Sequence, residues 1–181
     1  MMDAASRRRF VLTGAGALLA ANSLTACSGT MERFVTLKEA RERVLDLLFK
    51  TPQHDSPWSL SQVLQHLAQS IEYSMQGYPQ MKNGLVRAIA GSLVFPVFNA
   101  RGAMTHSLTE PIPGAPALDA QAPLKRSVDR LLEALAAFEA WSGPLKPHFA
   151  YGELDKAQYT RAHLMHLANH WTLLKPAAPK A

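Results

Sequence analysis

Three histidines lie close together in the stretch RAHLMHLANHW, residues 161–171. They are His163, His166 and His170. His166 and His170 are four residues apart, which places both imidazoles on one face of a helix, one turn from each other. Two imidazoles so arranged can converge on one metal ion, and a third ligand from another helix would leave a position open for water or substrate. The spacing therefore indicates a candidate metal site.

The helix that carries these histidines has a clear start signal. Asp155 is predicted as its N-cap, and Gln158, three residues later, completes a capping box. On a helical wheel the histidines share a face with apolar residues, namely Tyr159, Leu173 and Leu174. That face should look into the protein, where each ring nitrogen needs a partner. The alternative to a metal is a set of core histidines satisfied by carbonyls and hydroxyls.

Helical periodicity dominates the chain from Thr36 onward. The first helix begins at Thr36, and the third main helix runs from about residue 124 to 141. A short apolar helix is predicted within residues 82–98 and is expected to stop near Pro96. A loop rich in Gly and Pro follows over residues 99–123, and loops of that length are commonly lids or crossovers. The sequence thus predicts an all-α fold with a long crossover between the second and third main helices.

The second main helix supplies the best candidate for a third ligand. Its start is predicted at Ser56, as N-cap. His66 lies at the edge of its apolar stripe and is the only other histidine on a strongly predicted helix. His163 could instead provide the third ligand or a contact that orients a ligand. His106 and His148 lie in loops that could close over the site.

The N-terminus carries an export signal. SRRRFVL, residues 6–12, resembles the twin-arginine motif, with Arg7 and Arg8 as the paired arginines. A weakly apolar run follows and ends in LTAC, which matches the lipobox of bacterial lipoproteins. There the cysteine is acylated and becomes the mature N-terminus. Cys27 is the only cysteine, so an internal disulfide is excluded, and the alternative is that Cys27 merely follows an ordinary signal-peptidase site.

These signals predict how the chain is organised and where it is located. A signal peptide covers residues 1–26, a linker 27–35, the helical domain 36–174 and a flexible tail 175–181. We expect export by the twin-arginine machinery and a periplasmic location, with lipid on Cys27 as the membrane anchor. The net charge is +5, and removal of the leader takes away three arginines and one aspartate. The remaining charge forms no basic stripe, so nucleic-acid binding is not supported.

The order of these features resembles the DinB-like superfamily of four-helix bundles, and more closely its exported bacterial branch of unknown function. The resemblance is carried by the helix WSLSQVLQHLAQSIEYSM, by PIPGAP in the crossover, by HFAYGELDKAQYTRAHLMHLANHW and by the twin-arginine leader. It implies an up-down-down-up bundle with a divalent ion, most often zinc or nickel, held by His66, His166 and His170. Members of that branch commonly show His-Leu-Asp-His-His where this chain reads HLANH, so Ala168 and Asn169 replace an Asp and a His.

Two functions of different classes follow. A three-histidine metal with an open position can activate a bound water or thiol or polarise a carbonyl, and relatives in the resembled superfamily include thiol-dependent transferases. The first function is therefore a metal-dependent hydrolase or thiol-dependent transferase for a small molecule, with its site open under residues 101–116. The second is a non-catalytic metal-binding or structural lipoprotein domain, whose site is closed by a fourth ligand such as His163 or His106. No catalytic residue is assigned, and a homodimer is compatible with both.

Overall fold

The computed structural model describes residues 33–50 and 52–175, which are mostly helical with one very small sheet. The helices are α1, Leu37–Asp46; α2, Leu60–Gln76; α3, Gly84–Ile89; α4, Phe95–Arg101; α5, Leu124–Ala140; and α6, Lys156–Trp171. Strands β1, Gln53–His54, and β2, Leu174–Lys175, pair antiparallel. The all-α prediction is confirmed. None of the described helices is both long and apolar enough to cross a lipid bilayer.

Four helices, α1, α2, α5 and α6, pack around one apolar core. α2 packs most extensively against α5 and also contacts α6, while α1 contacts α5 and α6. The core takes buried side chains from all four helices, among them Val44, Leu64, Leu67, Leu131, Leu135, Phe138 and Leu167. Burial of each such Leu, Val or Phe side chain stabilises the folded state by about 1.5–3 kcal/mol. This packing holds the middle of α2 against α6, where the two helices carry their histidines.

Capping side chains fix where the helices begin. At α6, Asp155 accepts from the backbone N–H of Gln158, and the Gln158 side chain accepts from the N–H of Asp155, as predicted. At α2 the N-cap is Ser59, so the predicted start at Ser56 was wrong. Ser59 forms a full capping box with Gln62, whereas the Ser56 hydroxyl accepts from the N–H of Trp58 in a turn. A glutamine three residues ahead is the advantage that Ser59 has over Ser56.

The helical segment between α2 and the crossover continues past Pro96, where it was expected to stop. A π-helical turn, Ala90–Val94, joins α3 to α4, and Pro96 then lies in the first turn of α4, where its missing N–H is tolerated. The ring of buried Phe95 lies 5.4 Å from that of Tyr151. A Cβ added at Gly91 would overlap the carbonyl oxygen of Tyr151. Glycine thus permits the close approach of the π turn to the loop before α6.

We expect Gly91→Ala to destabilise the protein by about 1–3 kcal/mol, because the new methyl group meets backbone that cannot rotate away. The matched control is Gly84→Ala, since a Cβ at Gly84 has nothing within 4 Å. That control should be neutral or slightly stabilising, because alanine favours a helix by about 1 kcal/mol over glycine. Urea denaturation of both variants measures the difference. Equal stabilities would contradict the close approach.

Candidate metal centre

His66 from α2 meets His166 and His170 from α6, and we call these three the histidine trio. Their ligand nitrogens lie within 4.8 Å of one another. Nε2 of His66 is 3.2 Å from Nε2 of His166. A tetrahedral ion at about 2.0–2.1 Å from each nitrogen places two ligand nitrogens about 3.3 Å apart. The trio could therefore hold a metal ion, with the His66–His166 pair already near the required separation.

Several nitrogens of the trio have no protein partner. Nδ1 of His66 and both ring nitrogens of His170 are buried without a hydrogen bond to any residue that the structure describes. A buried polar atom left unpaired costs on the order of 1–3 kcal/mol. The alternative of core histidines satisfied by carbonyls and hydroxyls is therefore not met at these atoms. An ion would satisfy those that converge on it, so the donor set fits a metal.

Burial also fixes the protonation state of the trio. Loss of hydration lowers the pKa of His66 to about 4 and that of His170 to about 2, and the neighbouring imidazoles act in the same direction. The pKa of His166 falls well below its usual range for the same reasons. Since a histidine ligates through the lone pair of its neutral ring, the trio is in its ligating form at neutral pH. Metal binding there would not first require the removal of protons.

His106, from the crossover, lies beside the trio. Its ring centroid is 4.8 Å from that of His166 and 5.4 Å from that of His170. Nδ1 of His106 is 2.7 Å from the backbone carbonyl oxygen of Ser107. Because a carbonyl only accepts, the proton is on Nδ1 and the lone pair on Nε2 is available for a ligand. The side chain is exposed and does not belong to the converging trio, so it is a neighbour of the site.

The other two candidate histidines have protein partners. Nε2 of buried His163 lies 3.3 Å from the hydroxyl of Ser74. Nδ1 of buried His148 accepts from the backbone N–H groups of Ala150 and Tyr151, each at 3.1 Å. Burial lowers the pKa of both histidines to about 3. Neither belongs to the trio: His163 is a core histidine and His148 holds a turn.

A cavity of about 140 Å³ adjoins the trio. One water needs roughly 10–15 Å³ on this measure, so the cavity has room for a small molecule. His66 and His166 form part of its wall, and the wall also includes Ser70, Lys82, Met104, His106, Ser107, Glu110, Ile112, His148, Phe149, Tyr151, Ala162 and His163. The cavity therefore leads from the crossover and the loop before α6 to two members of the trio.

Some cavity residues were not anticipated from the sequence. Lys82 and Glu110 form an ion pair at 3.6 Å, and Tyr151 stacks on His148 with ring centroids 4.5 Å apart. They lie outside the periodic helices, so apolar spacing gives no signal for them. The pair Tyr-Gly offers a partial signal: Gly152 has a φ of +75°, and its backbone exchanges hydrogen bonds with that of His148. Such a turn keeps residues 148–152 close together and places Tyr151 beside His148.

Comparison with models of protein families identifies the family of this chain. A family model described as "Protein of unknown function (DUF1569)" matches residues 30–177. The chain belongs to the DUF1569 family. No curated protein and no solved structure gives a match. The trio, His106 and the cavity all fall within the matched residues, so the DUF1569 domain contains the whole candidate site.

The predicted export and lipidation residues, Arg7, Arg8 and Cys27, lie outside the residues that the structure describes, as do residues 176–181 of the predicted tail. The predicted linker is described only from Arg33. The assignments of signal peptide, lipobox and tail therefore stay predictions from the sequence.

We expect stability to fall as the pH drops below about 6.5, the value for an unfolded histidine. Folded His163 stays neutral down to a pKa of about 3. Between those values the unfolded state binds more protons, so acid favours unfolding by up to about 1.4 kcal/mol per pH unit for each such histidine. Urea denaturation of metal-free protein between about pH 7 and about pH 5.5 measures this slope. His163→Gln should reduce the slope, and an identical slope in that variant would contradict the assignment.

Proposed function

We propose that this DUF1569 protein is a metal-dependent enzyme for a small molecule, with His66, His166 and His170 as the metal ligands. The observation that carries the proposal is the cavity whose wall includes two of these three histidines. A metal that only stabilises helix packing needs no such space at its ligands. The reaction classes that suit the site are hydrolysis and thiol-dependent group transfer.

The bound ion would supply Lewis-acid chemistry, which lowers the pKa of a ligated water or thiol or polarises a carbonyl. His148 would orient the substrate. Its Nδ1 accepts two backbone hydrogen bonds, so the neutral ring carries its proton on Nε2 and can donate to an oxygen acceptor in the cavity. Lys82, paired with Glu110 in the wall, adds a second donor for a polar or anionic group.

A non-catalytic metal-binding domain is the second candidate function, and His106 is the observation that favours it. Its ring lies beside His166 and its Nε2 lone pair is available, so a small movement of the crossover would make it a fourth ligand. A site closed by four protein ligands is typical of structural zinc. The two functions thus differ in whether His106 occupies the open position.

We also propose the remaining features that the sequence predicts. The four main helices form the up-down-down-up bundle of the DinB-like superfamily, and the ion is zinc or nickel. The pattern in which α1 and α2 each contact α5 and α6 supports a bundle. The protein is exported by the twin-arginine route to the periplasmic side and anchored by lipid at Cys27, as the motifs at residues 6–12 and 24–27 favour.

The metal content of the full chain tests the ligand assignment. We expect about one divalent ion per chain in the wild type, measured by mass spectrometry, and its loss in both His66→Ala and His170→Ala. His148→Asn is the matched control, since His148 lines the same cavity but has its own backbone partners. The control should keep its ion. A folded wild type that binds no ion after reconstitution would refute the site.

An added thiol distinguishes the enzyme from the closed site. In cobalt-substituted wild type we expect a small thiol to change the visible spectrum, because a coordination position is open. Ser107→Trp, at the exposed part of the cavity wall, should weaken that binding by about tenfold while the metal stays. If the wild-type spectrum is insensitive to thiol and only His106→Ala responds, His106 is the fourth ligand and the enzyme proposal is wrong.

A further inference from the structure

The helical segment over residues 84–101 presents an apolar face to solvent. Leu85 is 70% exposed, Leu93 64% and Val97 52%. Three more large apolar side chains of the same segment are exposed, namely Val86, Ile89 and Val94. The other exposed large apolar residues of the described chain are separate from this segment: Val35, Leu45, Phe49 and Trp141. A concentration of six on one short segment is typical of an interaction surface.

We propose that this surface, which we call the α3–α4 face, docks on the lipid bilayer that holds the proposed anchor. The inference goes beyond the metal site and rests in one step on the proposed lipidation of Cys27. Amphipathic helices that lie in the membrane interface bury apolar side chains among the headgroups and keep basic residues at their edge. The α3–α4 face has both properties.

Arg33, six residues after Cys27, contacts the end of α4. Nη2 of Arg33 donates to the backbone carbonyl of Arg101, the last residue of α4, at 3.3 Å. Arg33 follows Cys27 by six residues, a stretch that reaches at most about 20 Å when extended. Leu93 lies about 12 Å along the helix axis from Arg101. Lipid on Cys27 would therefore bring the bilayer within reach of the part of the face between Leu93 and Arg101.

The charge of the segment favours a membrane over a second copy of the chain. Residues 83–101 include Arg87 and Arg101 and no acidic residue, whereas Lys82, just before them, is paired with Glu110 in the cavity wall. Anionic headgroups attract such a cluster, and Arg33 adds to it from the neighbouring chain. In a two-fold dimer the same surface meets itself, so the basic residues of the two copies would face each other and repel. A bilayer supplies both the apolar and the anionic partner.

Single-cysteine chains test the orientation. In full-length protein carrying Cys27→Ser, we place one cysteine by Leu93→Cys or, as the matched control, by Phe49→Cys. Phe49 is 78% exposed and lies in the turn that follows α1. Each is labelled with a polarity-sensitive dye and mixed with phosphatidylcholine vesicles containing about one quarter phosphatidylglycerol. We expect a blue shift at position 93 and none at position 49. The N-terminal leader is common to both chains, and the double glutamine variant described below separates its effect from that of the face.

Further measurements distinguish a lipid bilayer from a second copy of the chain as the partner of this face. Leu85→Gln with Val97→Gln, added to the Leu93→Cys chain, should weaken vesicle binding by about tenfold or more. No shift at position 93, or an equal shift at both positions, overturns the proposal. A blue shift at position 93 that grows with protein concentration without vesicles identifies a second copy and also overturns it. Palmitate labelling of wild type against Cys27→Ser tests the anchor separately, and the dye result decides the face whether or not lipid is attached.

Discussion

The burial of neutral imidazoles on α6 is the constraint on which the rest of the site depends. Burial disfavours a charged ring, so each histidine must find a neutral partner or a metal. His163 has the hydroxyl of Ser74, whereas His166 and His170 face His66 and one another. The histidines of α6 thus meet this constraint in two ways. His163 is paired within the core, whereas His166 and His170, together with His66 on α2, leave lone pairs for an ion.

The sequence predicted best what local signals determine. Asp155 and His66 were placed correctly because a capping box and an apolar stripe are read from neighbouring residues alone. The start of α2 was misplaced because two serines precede it, and only the pairing with Gln62 separates them. His106 could be suspected but not positioned, since its place beside His166 depends on how the aperiodic crossover folds back. Loop residues of the cavity are unpredictable for the same reason.

The segment from α3 to α4 connects the cavity to the outer surface. Its inner side places Phe95 against Tyr151 and brings Gly91 into close approach with the Tyr151 backbone, and Tyr151 is part of the cavity wall. Its outer side is the exposed apolar α3–α4 face. Only one layer of helix therefore separates the wall from the proposed membrane surface. A displacement of this face would move the cavity wall through the contact between Gly91 and the Tyr151 backbone, because close-packed atoms cannot shift independently.

The proposed export route and the buried site constrain each other. The twin-arginine route carries folded proteins, and three unpaired nitrogens in the trio disfavour the metal-free fold by roughly 1–3 kcal/mol each. An ion bound before export would take one nitrogen from each histidine, so it would remove that cost at one His170 nitrogen, and its binding would favour the folded form that the route accepts. First-row metals compete for imidazole sites mainly through their availability. The compartment in which the chain folds would then select the ion, so the cytoplasm rather than the periplasm would decide which metal His66, His166 and His170 hold.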